Sequence, residues 1–390
     1  MEDLLKRCWA AISLDHLAYN MKQIRSRLHA GCRVMAVVKA NAYGHGDAAL
    51  VPYFQQYGAD WFAVSNLEEA LMLRRNGAAL PILILGTTPA RYAAVLSRED
   101  ITQTVFSADY ADQLETEARR AGVTVAVHIK VDTGMSRIGF RPEEPEAIER
   151  VYRARGLRAT GIFTHFACSD ETDAESRAFT QRQYDRFTDV CRQLEEKGIA
   201  PGLRHCCNSG AVVQYPQMQL DMVRPGIILY GLAPSEELAG AMDLRPVMTL
   251  YSRVSMVKEI PADTPVSYGR TYTTGRPARV ATVSCGYADG YPRALSSRAS
   301  MRVGDAGSGS EAPVIGRVCM DQLILDVTGI PDVAADDTVV AAGGDGNQSF
   351  ERLAALAGTI HYELVCNINR RVPRVYLEKG RTVRVVDYLE

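Results

Sequence analysis

Lys39 closes an apolar run, Val34-Met35-Ala36-Val37-Val38. A lysine at a strand end is costly to bury unless it is paired, shifted in pKa or used covalently. Two readings stay open at this point. The side chain snorkels to solvent, or its amine, once uncharged, bonds to a carbonyl such as that of pyridoxal phosphate. Tyr43-Gly44-His45-Gly46 follows and leads into a helix. Such a loop suits a phosphate near a helix N-terminus, with a phenol as donor. Other reactive residues also sit where apolar runs end. Lys130, Asp132 and Arg137 end one, His165 follows Gly161-Ile162-Phe163, Asn208 and Ser209 follow another, and Arg224 precedes Pro225-Gly226-Ile227.

The elements that must position these groups alternate. Strand-like runs fall at 34–38, 61–64, 82–85, 102–106, 123–131, 159–163, 203–206 and 222–230. Between them, 68–75, 110–120, 145–153 and 174–197 have helical spacing with polar faces. Eight strands alternating with helices predict a (β/α)8 TIM-type barrel. A doubly wound open sheet is the competitor, but no G-x-G-x-x-G opens a helix after a first strand. In a barrel, catalytic groups gather at the carboxyl ends of the strands, and phosphate often lies beyond strands seven and eight. Ser209 and the backbone of Gly226 and Ile227 fall there.

The rhythm changes near Asp243. Strand-like runs then fall at 250–260, 278–285, 301–303, 314–318, 323–327, 338–342 and 382–386, with one good helix near 350–357. The glycine-rich stretches 304–309 and 343–347 lack the G-K-[ST] of a phosphate-cradling loop and read as hairpin or surface loops. The expected organisation is a barrel over 1–242 and a mostly-β domain over 243–390.

Composition removes several function classes. The 390 residues carry 44 Lys+Arg against 46 Asp+Glu, a net charge of -2. That balance argues against a nucleic-acid binder and gives no reason to invoke a membrane surface. Met1-Glu2-Asp3-Leu4-Leu5-Lys6-Arg7 carries early acids and no apolar region follows, against a secretory signal. No run reaches the roughly 20 apolar residues that span a bilayer. Nine cysteines without C-x-x-C spacing fit a reduced, cytoplasmic setting. The adjacent Cys206-Cys207 has no matching second pair, so no metal is expected.

The segment Ala36-Val37-Val38-Lys39-Ala40-Asn41-Ala42-Tyr43-Gly44-His45-Gly46 resembles the pyridoxal-phosphate signature of alanine racemases. His128-Ile129-Lys130-Val131-Asp132-Thr133-Gly134-Met135-Ser136-Arg137, Met222-Val223-Arg224-Pro225-Gly226 and Val266-Ser267-Tyr268-Gly269-Arg270-Thr271-Tyr272 resemble it too. So do Gly286-Tyr287-Ala288-Asp289-Gly290-Tyr291, Gly316-Arg317-Val318-Cys319-Met320-Asp321-Gln322 and Arg371-Val372-Pro373-Arg374. The matches run in order along nearly the whole chain.

The resemblance implies a homodimeric racemase that interconverts L- and D-alanine for peptidoglycan in a bacterial cytoplasm. Lys39 would hold pyridoxal phosphate covalently and act as one base. Tyr268, from the other subunit, would be the second base, its acidity raised by His165 and Arg224. Arg224 would face the pyridine nitrogen. Tyr43, Ser209, Gly226, Ile227 and Tyr362 would bind phosphate, with His165 and Asn208 also in the cofactor site. Arg137 would reach the cofactor's phenolic oxygen and the substrate carboxylate. Met320 would offer its N–H to that carboxylate, while Tyr287 and Tyr272 narrow the mouth. Lys130 matches a lysine that many members carbamylate. His205 is either a satisfied core histidine or a catalytic one, Tyr291 structural or functional, and Cys319 a packing residue rather than a nucleophile. The rivals are a serine racemase of the glycopeptide-resistance type, a decarboxylase of the same barrel class and a non-catalytic cofactor carrier. Tyr362 in His361-Tyr362-Glu363-Leu364 favours alanine over serine. The Tyr268 segment argues against the decarboxylase, and the whole second domain against the carrier.

Overall fold

The structure is a computed structural model that describes residues 7–304 and 309–389. The acids at 2 and 3 and most of the 304–309 loop lie outside the described residues. The chain divides into two compact units.

The first unit is a barrel. Its eight parallel strands are Arg33–Val37, Trp61–Val64, Ile82–Ile84, Ile101–Val105, Val125–Lys130, Leu157–Phe163, Leu203–His205 and Met222–Val223. Each pairs with the next from the first to the seventh, and the first also pairs with the eighth through Arg33↔Met222 and Val34↔Val223. Two backbone bonds close the circle between the seventh and eighth: Asp221 N–H to Arg204 C=O at 3.1 Å and Arg224 N–H to Cys207 C=O at 2.8 Å. Strands buried on both faces read as continuous apolar runs, and Val34, Met35, Ala36, Phe62, Ala63, Ile82, Leu83 and Ile84 are all fully buried. The helices begin where the side chains dictate. Asn66 accepts from the Glu69 N–H ahead of Leu67–Arg75, Ser107 from Tyr110 ahead of Ala108–Arg120, and Asp173 from Glu175 and Ser176 ahead of Ala174–Glu196.

The eighth strand is much shorter than the expected 222–230. Pro225 has no N–H for a ladder, Gly226 turns the chain at φ −118°, ψ −92°, and Ile227–Tyr230 forms a 3-10 helix.

The second unit is built on a nine-stranded sheet. Its longest strand, Met248–Ile260, shifts register between Val254 and Met256. Its first part pairs with Thr338–Gly343 and with Cys8–Ser13; from Val254 on, across the shift, it pairs with Ala278–Val283. Ala278–Val283 pairs in turn with Leu323–Asp326, Cys8–Ser13 with Arg374–Glu378, and the latter with Arg381–Val386. Ser300–Val303 and Ser310–Pro313 extend the other edge.

The boundary drawn from sequence fails at the N-terminus. The strand Cys8–Ser13 belongs to this sheet, and Tyr43–Gly46 also groups with this unit. Three further elements differ. The 314–318 run is not a strand; Ser310–Pro313 is, and Val314 makes a single bridge to Leu325. Arg374–Glu378 is a strand that sequence missed. Helix Phe350–Ala357 ends at Gly358 in the left-handed conformation (φ 75°), and a second helix, His361–Cys366, follows.

Candidate functional site

Lys39 leaves the first barrel strand half-buried, directly after the fully buried Val38. The chain then does something rare. Ala40, Asn41, Ala42 and Tyr43 have φ of 53°, 56°, 53° and 52°, and the Ala42 N–H bonds the Val38 carbonyl at 2.9 Å. This is one turn of left-handed helix without glycine. L-residues resist it by about 1–2 kcal/mol each, and such strain collects at functional sites. Two contacts in the barrel unit brace the turn. Ala40 N–H donates to Glu69 Oε1 at 2.8 Å, and Asn41 Oδ1 accepts from Asp47 N–H at 3.1 Å.

Arg224 is buried with a chain of imidazoles. It donates to Thr164 and Cys206 carbonyls at 2.7 and 3.1 Å, to His165 Nδ1 at 3.2 Å and to His205 Nδ1 at 2.9 Å. His205 Nε2 lies 2.9 Å from His128 Nδ1. Because guanidinium only donates, His205 Nδ1 must accept. The His205 proton therefore sits on Nε2 and is donated to His128 Nδ1, which leaves the His128 proton on Nε2. That nitrogen has no partner among the described residues, and a Cβ at position 161 would stand 2.8 Å from it. Gly161 makes the room. Burial and the Arg224 charge hold His205 and His165 well below the usual histidine range and bring His128 to about 3. Neutral imidazoles are thus available as acceptors for Arg224, whose own pKa burial lowers to about 10. Arg224 stays cationic at neutral pH. His205 is the satisfied core histidine of the two sequence readings, and it holds Arg224. Replacing His205 with leucine leaves an Arg224 donor and His128 Nδ1 unpaired, and should cost roughly 2–4 kcal/mol. Urea unfolding measures this; a loss under about 1 kcal/mol would contradict the bonding scheme.

Lys130 ends the fifth barrel strand, buried, with Nζ 3.3 Å from the Val131 carbonyl and 5.3 Å from the Phe163 ring centroid. Burial first, and the Arg224 charge second, lower its pKa to about 7. Asp132 organises the next turn: Oδ1 accepts from Gly134 and Ser136 N–H and Oδ2 from Arg137 N–H, each at 3.0 Å. Phe140 closes this loop by backbone bonds with Lys130 and Asp132, and Arg137 projects from it exposed. The charges of Arg224, Lys130, Arg137 and Lys39 all act on His165, so these predicted residues share one end of the barrel.

The loops after strands seven and eight meet as expected. Ser209 Oγ accepts from the Gly226 N–H at 2.8 Å. Ile227 opens the 3-10 helix, so its N–H has no carbonyl within that helix. The Ser209 hydroxyl, which keeps its own proton to donate, and the Ile227 N–H are donors of the kind that fits a phosphate-bearing carbonyl cofactor. Asn208 is occupied locally: its Oδ1 accepts from Ala211 N–H and Ser169 Oγ at 3.0 and 2.7 Å.

In the second unit, Tyr268 stands at the tip of the hairpin Pro265–Val266 and Tyr272–Thr273, 70% exposed. Ser267, at φ 64°, anchors it by donating to the Arg317 carbonyl at 2.7 Å. Tyr272 packs against the cluster of Val266, Ala278, Val280 and Ile315. The Tyr287 and Ala288 N–H groups bond the Cys319 and Met320 carbonyls at 3.1 and 3.0 Å. A Cβ at Gly286 would lie 2.3 Å from the Met320 oxygen, so only glycine permits this approach. Asp289, buried, locks the two strips: it pairs with Arg7 and, at 2.8 Å, with Arg371, which also reaches Asp321 at 2.6 Å. Sequence reasoning quoted Asp289 and Arg371 without a role for either; the signal was an acid and an arginine inside matched motifs.

Tyr268, Tyr287 and Met320 are all large and exposed. Cys319 Sγ lies 3.5 Å from Ser267 Oγ, and Tyr291 is core, its hydroxyl without a partner among the described residues. Tyr43 and Tyr362 come together with ring centroids 6.2 Å apart. Burial pushes the Tyr43 phenol above the usual range, so it is protonated and able to donate. Cys8, Cys285 and Asp289 cluster within 4.8 Å, but the two arginines already engage the carboxylate.

Comparison with known proteins covers both units. The family model for the alanine racemase N-terminal domain matches residues 12–234, and that for the C-terminal domain matches 247–376. An alanine racemase of Desulfovibrio desulfuricans is 47% identical over 371 residues, spanning 95% of this chain and 98% of the relative. The structure of an alanine racemase from Clostridium difficile superposes with a TM-score of 0.92 at 36% identity, covering all of both chains. That from Bacillus anthracis, with bound L-Ala-P, gives 0.91 at 34% identity over 99% of each. The chain belongs to the alanine racemase family.

Proposed function

We propose that this protein interconverts L- and D-alanine with pyridoxal phosphate, through two bases that serve opposite faces of the substrate. The observation that carries the reading is Lys39, held by a strained turn at the end of an apolar strand, its charge felt by His165 as that of Arg224 is. The Ser209 hydroxyl and the Ile227 amide would hold the phosphate, with the Gly226 N–H shared between it and Ser209 Oγ, and Tyr43 and Tyr362 would donate as the resemblance implies. When bound, the cofactor supplies the electron-withdrawing ring that acidifies the substrate's Cα–H. Arg224, cationic and fixed by neutral imidazoles, would donate a hydrogen bond to the ring nitrogen while keeping its proton. Arg137 and the Met320 N–H orient the carboxylate. Lys39 and Tyr268 hold and return the Cα proton, one on each face, so the substrate need not turn over.

A homodimer completes the site in this reading. Tyr268, Tyr287 and Met320 are large, exposed and rigidly presented on one unit, as groups offered to a partner's barrel would be. Two-fold symmetry then gives two equivalent sites. Lys130, with its pKa near neutrality, carries a substantial fraction of free amine, the form that adds carbon dioxide to give a carbamate and a proton. The resulting anion would brace Arg137. No described helix is long and apolar enough to cross a membrane; a cytoplasmic role in peptidoglycan precursor supply belongs to the same proposal.

The test is a racemisation assay of the purified chain with L-alanine and with L-serine. Alanine should be the better substrate by kcat/KM. Equal or faster turnover of serine would favour the serine racemase reading.

A further inference from the structure

The first two barrel strands do not end as a parallel ladder should. Val38 N–H bonds the Ala63 carbonyl at 2.9 Å. A continuing ladder would next use the Val38 carbonyl as the acceptor for Ser65 N–H, and would give Ala40 N–H an acceptor on the neighbouring strand. The left-handed turn takes the chain out of that ladder, and the Val38 carbonyl accepts from Ala42 N–H instead. Two strand-end donors are left without ladder partners. Glu69 supplies both acceptors: Oε1 takes Ala40 N–H at 2.8 Å and Oε2 takes Ser65 N–H at 2.7 Å. Glu69 is itself fixed at the first turn of helix Leu67–Arg75, where its N–H donates to Asn66 Oδ1 at 2.9 Å.

We propose that Glu69 is a positioning residue for Lys39: its one carboxylate replaces the missing ladder and holds the left-handed turn that aims the lysine. This rests on the reading that Lys39 carries the cofactor. A carboxylate suits the task because each oxygen accepts independently and neither can donate. An amide at the same place offers one acceptor and sets an N–H against the second donor. The Asn66-to-Glu69 spacing resembles a capping box, in which the acid returns to its own N-cap amide. Here it reaches the residue before the cap and the facing strand instead.

The experiment compares Glu69→Gln and Glu69→Asp with Glu68→Gln, a change at an exposed neighbour. Amide hydrogen exchange at Ala40 and Ser65, read at residue resolution on the protein with its bound cofactor, is the first measurement. Both Glu69 variants should exchange at least about tenfold faster at these amides, while Glu68→Gln is unchanged. The second is the steady-state split. A misaimed Lys39 should lower kcat by roughly 10–100-fold, with KM for alanine within about twofold because the carboxylate contacts are intact. Faster exchange at Ala40 and Ser65 with a selective fall in kcat supports the assignment. Unchanged exchange at both amides, or full kcat in Glu69→Gln, overturns it. Borohydride labelling of the wild-type chain separates the two layers. Fixation at a lysine other than 39 sinks the underlying cofactor reading, while the exchange result still decides whether Glu69 holds the turn.

Discussion

Lys39→Ala should lose racemisation of alanine by at least about 10²–10⁴, the worth of a positioned acid–base group, and should lose covalent cofactor attachment with it. Borohydride treatment of the wild-type chain with pyridoxal phosphate should fix the cofactor to Lys39, and the variant should stay unlabelled. Lys130 is the instructive control. It is buried where Lys39 is half-buried, and burial lowers its pKa to about 7. By amine reactivity alone it competes with Lys39. Its Nζ, however, faces the Val131 carbonyl and the Phe163 ring, whereas Lys39 rises from the turn that Glu69 braces. Lys130→Met should therefore retain labelling at Lys39. Peptide mapping after reduction reads both results, and label on Lys130 in the wild-type chain would reverse the assignment.

Tyr268→Phe should produce the second large loss, again about 10²–10⁴, in both directions, because each direction needs a group on each face. The ring packing survives and only the hydroxyl goes, so stability should hold; Tyr268 is 70% exposed. Mixing Lys39→Ala with Tyr268→Phe subunits should restore part of the activity, since one hybrid site regains both groups. Demonstrated subunit exchange with activity still at baseline would show that sites are not shared between chains.

The barrel was legible because its strands are buried on both faces and so read as plain apolar runs, with reactive residues standing out at their ends. Lys39, Lys130, His165, Ser209 and Arg224 were placed by that contrast alone. The sheet of the second unit was harder. Cys8-Trp9-Ala10-Ala11-Ile12-Ser13 carries two alanines, which mark a strand weakly, and its partners Met248–Ile260 and Arg374–Glu378 lie hundreds of residues away. Local pattern carries no trace of such pairing. Pro225-Gly226 did signal the end of the eighth strand, but the apolar Ile227-Ile228-Leu229-Tyr230 masked it. The left-handed turn had no readable cause, for Ala40-Asn41-Ala42 contains no glycine; contacts from elsewhere impose it. Glu69 was visible as a helix-start acid, yet its second use on the neighbouring strand depends on tertiary structure.

The most direct test of the two-face account is Cα proton exchange in Tyr268→Phe, followed by proton NMR in heavy water with each enantiomer of alanine. Lys39 remains in this variant, and the family resemblance puts the lysine on the face that handles the D-enantiomer. D-Alanine should exchange its Cα proton for deuterium without inversion, and faster than L-alanine. Equal residual exchange of the two enantiomers would point to a single mobile base and contradict the assignment of Lys39 and Tyr268 to opposite faces.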